Sequence, residues 1–296
     1  MKSLTVFTPT YNRAHLLPRV YESLKNQSSG DFVWMIVDDG STDGTRLLVE
    51  QWQQENHLEI SYLYKENGGM HTGHNTAYAN INTPFNVCID SDDYMPPKAV
   101  EIIVREVAAI TDDPSFCGII GLDALENGDL IGTRIPGNLQ RVKLNELYLL
   151  HGVTGDKKMV YKTAMMQSVP PYPEFPGEKF VPLDYKCLLL DQKSDLKPVN
   201  EVLVIVEYQE DGSTKNMLKQ YRRHPRGFAF SRISRIDYGI TLKERFKNAV
   251  HLVSSSLFVS DPSLWLQTKH TPLVLAALPA GILLNLYIRL KTKKNP

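Results

Sequence analysis

The residues best suited to chemistry follow one apolar run. Pro84-Phe85-Asn86-Val87-Cys88-Ile89 delivers three carboxylates in four positions, Asp90-Ser91-Asp92-Asp93. Carboxylates this crowded repel one another unless a cation offsets them. Hard oxygen donors at this density suit Mg²⁺ or Mn²⁺ bridging a diphosphate, with Asp92 and Asp93 as the expected ligands; the bland alternative is a solvated acidic turn.

Three more polar clusters share that setting, each closing an apolar segment. Thr8-Pro9-Thr10-Tyr11-Asn12-Arg13 gives a rigid bend, an aromatic face for a base and polar groups for a ribose or phosphate, although a structural loop reads the same way. Asp38-Asp39-Gly40-Ser41-Thr42-Asp43-Gly44 pairs two acids that can accept from base or ribose donors, followed by residues able to cap a helix. Glu66-Asn67-Gly68-Gly69-Met70-His71-Thr72-Gly73-His74-Asn75 offers glycines for close backbone approach and a helix start that favours phosphate. His71 is within plausible reach of a diphosphate; His71 and His74 both also fit packing or capping roles.

What must position these clusters is legible in the first 125 residues. Short β-branched runs (Leu4–Thr8, Phe32–Val37, Leu58–Tyr64, Phe85–Ile89, Phe116–Leu122) alternate with helical stretches near Leu16–Lys25, Thr45–Glu55, Thr72–Ala79 and Lys98–Ala109. That alternation predicts βαβ units and a mostly parallel, Rossmann-like sheet flanked by helices, with ligands at the carboxyl ends of the strands. Beyond it, Asn127-Gly128 signals a hairpin turn, residues 133–180 read as irregular, a short helix is expected over Asp184–Leu190, and a strand over Val199–Tyr208. Three parts are expected: 1–125 binding a nucleotide, 126–215 facing an acceptor, and 216–296 as a C-terminal helical extension.

Bulk properties narrow the class. The 296 residues carry 33 basic and 33 acidic side chains, so no global field favours nucleic acid and an anionic ligand needs a local site. Cys88, Cys117 and Cys187 are widely spaced and odd in number, as expected of small buried hydrophobes in a reducing compartment. Lys2 is followed at once by a strand-like run instead of an apolar leader, so the catalytic part is expected in the cytosol.

The order Thr8-Pro9-Thr10-Tyr11-Asn12-Arg13, Val37-Asp38-Asp39-Gly40-Ser41-Thr42-Asp43-Gly44-Thr45, Asn67-Gly68-Gly69 with Asn75 following, then Asp90-Ser91-Asp92-Asp93 resembles the family-2 inverting glycosyltransferases of GT-A fold. The resemblance covers roughly residues 3–125. It implies a UDP- or dTDP-sugar donor, with Asp39 on the base, Pro9 and Tyr11 nearby, and Asp90 near the ribose. Thr10, Asn12, Asp38, Asn67, Gly68, His71, Asn75 and Ser91 complete the expected donor site. The same resemblance implies that Asp92 of this DXD motif contacts the metal and that a carboxylate in the second half deprotonates the acceptor. The family often places a Glu-Asp pair at a helix start; here Leu183-Asp184 stands there, so Asp184 takes the acid's place without its partner, and Glu178 is the other candidate. A nucleotidyltransferase would show a Gly-rich basic loop where this chain has Thr8–Arg13, and a non-catalytic binding module would need no base.

Two later segments are basic or apolar. Tyr208–Asn216 reads as a loop able to close over a bound donor, with Lys215 or Arg222 facing phosphate, or as plain surface. Lys219–Arg226 is rich in Lys and Arg, with a solvated helix face as its default. Leu273–Ile288 is nearly all apolar, and its sixteen residues would span ~24 Å as a helix, short of the roughly 30 Å bilayer core. It reads as a packed helix, a membrane-interfacial anchor or a span, and the basic flank Arg289–Lys294 favours the anchor. A saccharide or lipid-linked saccharide acceptor at the inner membrane face, with peripheral membrane contact, follows as the expected setting.

Overall fold

The computed structural model describes residues 2–209 and 217–293. Within these, the chain forms two compact units: 2–170 with 193–209, and 171–192 with 217–293. The strand after residue 193 returns to the first sheet, so the first unit is discontinuous in sequence.

The first unit holds β1 (Leu4–Thr10), α1 (Leu17–Lys25), β2 (Phe32–Asp38), α2 (Thr45–Glu55), β3 (Ile60–Tyr64), α3 (Met70–Asn80), β4 (Phe85–Cys88), α4 (Ala99–Ala108), β5 (Phe116–Ala124), α5 (Leu144–Leu149), β6 (Lys157–Lys162), α6 (Thr163–Gln167) and, after the excursion, β7 (Asp195–Ile205). The sheet order is β3-β2-β1-β4-β6-β5-β7. Strands β1 to β4 run parallel, β6 runs antiparallel between β4 and β5, and β7 pairs parallel with β5. The carboxyl ends of β1, β2, β4, β5 and β7 and the amino end of β6 therefore share one edge.

Local sequence explains these elements. β1 and β2 are buried almost throughout, as strands covered on both faces must be. Tyr21 of α1 stacks on Trp52 of α2 with centroids 4.4 Å apart, and Trp34 of β2 donates to the Thr8 hydroxyl at 3.1 Å; these aromatics anchor the core. β6 is the element the sequence hid inside a stretch read as irregular. Its charged ends disguise it: Lys157 is buried and its ammonium donates to the carbonyl oxygens of Ile131, Thr154, Gly155 and Asp156 at 2.8–3.2 Å. The Asn127-Gly128 turn is present, closed by a bridge between Ala124 and Leu130.

The second unit holds α7 (Asp184–Leu190), α8 (Met217–Arg223), α9 (Pro225–Tyr238), α10 (Leu242–Val259), a 3-10 turn at Pro262–Leu266, α11 (Thr271–Ala276) and α12 (Leu278–Thr292). Ala229, Ile236, Ala249, Leu252, Val253, Val274 and Ala277 form its core. The apolar tail is two helices broken near Ala277, and among the described residues no helix is long and apolar enough to cross a membrane. Lys215 and the rest of 210–216 lie outside the described residues.

Candidate active site

The turns after β1 and β2 are clipped together. Thr10 and Asp38 are neighbours in register. Asn12 adopts a left-handed φ of 52°, its backbone N–H donates to the Ser41 hydroxyl at 2.9 Å, and its side-chain oxygen accepts from the Thr42 N–H at 2.8 Å. Asp43 accepts from the Ala14 N–H at 3.0 Å. Tyr11 is left exposed at this edge, an aromatic face available to a base.

Both acids of the second cluster are buried and occupied. Asp38 accepts from the Ser41 N–H at 2.7 Å and from the Tyr62 hydroxyl at 2.6 Å. The Tyr62 phenol is pushed above its usual range by burial and by this carboxylate. Asp39 accepts from the Lys65 ammonium at 2.6 Å, from the N–H groups of Gly68 and Gly69 at 2.9 and 2.7 Å, and from the Asn67 amide at 3.0 Å. Asp39 thus shapes the Gly-rich loop as well as standing where the base is expected. Gly40 permits this: its φ is 85°, and a Cβ there would lie 2.8 Å from the Asn67 nitrogen.

The loop opens α3. Gly69 takes a φ of 96° at the helix start. His71 is buried in the first turn, and Asn75 one turn on is half-buried. His74 packs edge-on to Phe7 with its Nδ1 3.3 Å from the Tyr78 hydroxyl, which is the packing role.

The acidic cluster divides. Asp90 and Asp92 are half-buried, and Asp92 lies 3.7 Å from the Arg13 guanidinium. Ser91 and Asp93 are buried. Asp93 accepts from the Glu207 N–H at 3.2 Å, and the next residue, Tyr94, exchanges two backbone hydrogen bonds with Ile205 of β7, at 3.0 and 2.7 Å. Burial first, then the charge on Asp90 and more weakly those on Asp92 and Asp123, raises the Asp93 carboxyl to about 8 against the pull of Lys158.

Two residues that sequence reasoning passed over complete the edge. Asp123, at the end of β5, is buried, carries one carboxylate oxygen without a hydrogen-bond partner, and is raised to about 6 mainly by burial. Lys158, at the head of β6, resists desolvation because Asp123, Asp90 and Asp93 hold its ammonium above the usual lysine range. Both lie far from the acidic motif in sequence. Only the register, Lys158 opposite Gly121, brings them to it.

Among the described residues no three His, Cys, Asp or Glu side chains converge as a ready-made metal site. Mg²⁺-type sites commonly take one or two carboxylates and complete their shell with substrate phosphate and water. Asp90 and Asp92 supply such a pair. The orphaned oxygen on Asp123 and the like-charge pressure on Asp93 mark an edge short of positive charge, so the residues present fit a divalent cation.

The two candidate bases belong to the second unit. Asp184 opens α7, accepts from the Ser231 hydroxyl at 3.1 Å and forms an ion pair with Arg235. Glu178 is half-buried, with its side chain covered, and spends both oxygens on the first turn of α9, accepting from the N–H groups of Arg226 and Gly227 at 3.0 and 2.9 Å.

Comparison with known proteins bears on this arrangement. The chain is 26% identical over 183 residues to the poly(ribitol-phosphate) beta-N-acetylglucosaminyltransferase TarS of Staphylococcus aureus (strain Mu50), spanning 60% of this chain and 30% of that protein. It is 35% identical over 104 residues to the chondroitin synthase of Escherichia coli, spanning 35% of this chain and 15% of that protein. The chain thus spans less than a third of the length of either relative. Among solved structures, S. aureus TarS 1–349 in complex with UDP-GlcNAc matches with a TM-score of 0.60 at 19% identity, covering 95% of this chain and 81% of that one. The mannosyltransferase PcManGT from Pyrobaculum calidifontis, in complex with GDP-Man and Mn²⁺, matches with a TM-score of 0.58 at 17% identity, covering 96% and 87%. These two likenesses establish the shared GT-A fold. Residues 5–165 match the family described as Glycosyl transferase family 2. That span is more than half of the chain and carries β1 through β6, so the chain belongs to glycosyl transferase family 2.

Proposed function

We propose that this chain is a nucleotide-sugar-dependent glycosyltransferase that moves a sugar from a UDP- or dTDP-sugar onto a saccharide or lipid-linked saccharide, with inversion, at the inner face of the cell membrane. The observation that carries the donor half is the shared sheet edge, where Thr10 and Asp38 are paired in register and β4 runs into the acidic cluster one strand away. Tyr11 offers its ring to the base, Asp39 and the Asn67-Gly68-Gly69 loop hold base and ribose, and His71 in the first turn of α3, with Asn75 one turn on, serves the diphosphate. The relatives support the donor class: TarS is described with UDP-GlcNAc and with UDP.

The reaction is a single displacement. The acceptor hydroxyl attacks the anomeric carbon as the bond from that carbon to the diphosphate oxygen breaks, and the nucleoside diphosphate leaves. Asp184 takes the hydroxyl proton, held in position by Ser231 and Arg235; Glu178 is the lesser candidate because the start of α9 engages both its oxygens. Asp92, with Asp90, would hold Mn²⁺ or Mg²⁺, which when bound neutralises charge gathering on the leaving diphosphate. Asp93, the ligand expected beside Asp92, is buried with one oxygen taken by the Glu207 N–H, which makes Asp90 the better partner for Asp92.

Isothermal titration with UDP, dTDP and GDP, with and without Mn²⁺, tests the donor half. UDP or dTDP should bind in a metal-dependent manner, and Asp92→Ala should weaken binding by about tenfold or more. Failure of every nucleotide to bind in both conditions would sink the proposal.

A further inference from the structure

Helix α12 wears its polarity inside out. Its inward face carries polar groups: Asn285 is buried and donates to the Ser254 carbonyl at 2.9 Å, and Thr292 is buried, with its hydroxyl accepting from Arg222 at 3.1 Å. Gly281 lets the helix approach α10 closely, since a Cβ there would lie 2.4 Å from that of Val253. The outward face, begun by Leu275 on α11, consists of Ile282, Leu283, Leu286, Tyr287 and Leu290, with Leu283 67% and Leu290 73% exposed. A helix on a water-facing surface places its polar residues outward. One that packs through Asn and Thr while showing leucines over three turns is built for an apolar medium on its outer side.

The charges name that medium. From Pro262 to Pro296 the sequence holds five Lys and Arg and no Asp or Glu. Arg289, Lys291 and Lys293 lie exposed at the far end of the leucine face. Arg289 is held there by Asn285 at 2.7 Å and by the Leu257 carbonyl at 3.1 Å, and Arg222 of α8 joins them through its contact with Thr292. α12 is 15 residues long, ~22 Å, too short to span a hydrocarbon core. An apolar face bordered by cations and a tyrosine is the pattern of a helix lying in the plane of an anionic lipid surface.

We infer that the outer face of α11 and α12 docks this chain on an anionic lipid bilayer, α12 lying in the interface with its leucines among the acyl chains and Arg289, Lys291 and Lys293 at the headgroups. The inference deepens the membrane-side acceptor proposed above and rests on it only for what the membrane holds.

Flotation of the full chain with vesicles tests it, without nucleotide, so that a failed donor site would leave the result readable. Vesicles of phosphatidylcholine with a quarter phosphatidylglycerol should carry the chain upward, and phosphatidylcholine alone should carry little. Leu283→Glu with Leu286→Glu should lower binding by about tenfold or more, and Lys291→Glu with Lys293→Glu should do so most strongly at low salt. All four side chains are exposed, and circular dichroism melting verifies that the variants fold. Absence of binding to either vesicle, equal binding to both, or binding indifferent to the leucine substitutions would overturn the proposal. So would a dimer in sedimentation that the leucine substitutions split while vesicles go unbound, which would assign the face to a second copy of the chain.

Discussion

Asp184 and Glu178 are neighbours in sequence with opposite employment of their oxygens. Glu178 gives both to backbone N–H groups opening α9, the work of a helix cap supplied from another segment. Asp184 is held by side chains only, Ser231 and Arg235. Asp184→Asn should therefore abolish transfer, with kcat falling about a thousandfold, while the affinity for UDP stays unchanged. Glu178→Gln keeps one acceptor oxygen, sets an amide NH2 against the other N–H and loses the charge, and should cost ~1–2 kcal/mol of stability with a much smaller loss of kcat. A steady-state comparison alongside thermal melts separates them, and the reverse pattern would transfer the base role to Glu178. None of this partnership was legible beforehand, because Glu178 meets its helix across 48 positions.

At the scale of elements, the apolar strands announced themselves and the acidic and Gly-rich turns fell at their ends as the parallel-sheet rule requires. β6 did not, because Lys157 and Lys158 at its head look like surface residues. They are satisfied only in three dimensions, one by carbonyls and the other by carboxylates. Asp123 was overlooked for the same reason. Elements also transmit strain, and the turn after β2 is the place to see it. Gly40→Ala would force a left-handed φ on alanine and press its Cβ against Asn67, costing ~1–2 kcal/mol from the backbone alone. Because Asn67, Gly68 and Gly69 all hold Asp39, nucleotide affinity should fall together with melting temperature. A variant that melts lower and still binds UDP normally would show the turn to be structural only.

At the scale of the whole molecule, the two units should differ in their response to acid. His251 of α10 stacks edge-on to Tyr221 at 5.3 Å, and burial, with Arg232 and Lys247 behind it, lowers its imidazole to about 4. An unfolded chain binds a proton there at about 6.5. Between those values the unfolded state holds more protons than the folded one, so stability present above pH 6.5 drains away as the pH falls toward 4. The helical unit should show this loss, worth ~1–2 kcal/mol after allowance for partial exposure, as faster amide exchange in α9 and α10. His251→Phe should flatten the slope of melting temperature against pH in that window, and an unchanged slope would assign the acid sensitivity elsewhere.

The Lys157 ammonium binds the carbonyls of Ile131, Thr154, Gly155 and Asp156 at one point. Gly132 and Gly155 press backbone on backbone there, so closely that a Cβ on Gly132 would lie 2.0 Å from the Thr154 oxygen. The excursion between those glycines has a fastened rim, and its interior is tied down as well: Ile135 exchanges hydrogen bonds with Asn200 at 2.9 and 2.8 Å, and Val142 bridges Leu196 of β7. Closure entropy grows only slowly with the length of such an excursion, so the exposed stretches between these ties, 137–138 and 151–152, are where residues can be added while the sheet keeps its pairing. For anyone wishing to lengthen the chain there, the rim and the two ties mark what has to be kept.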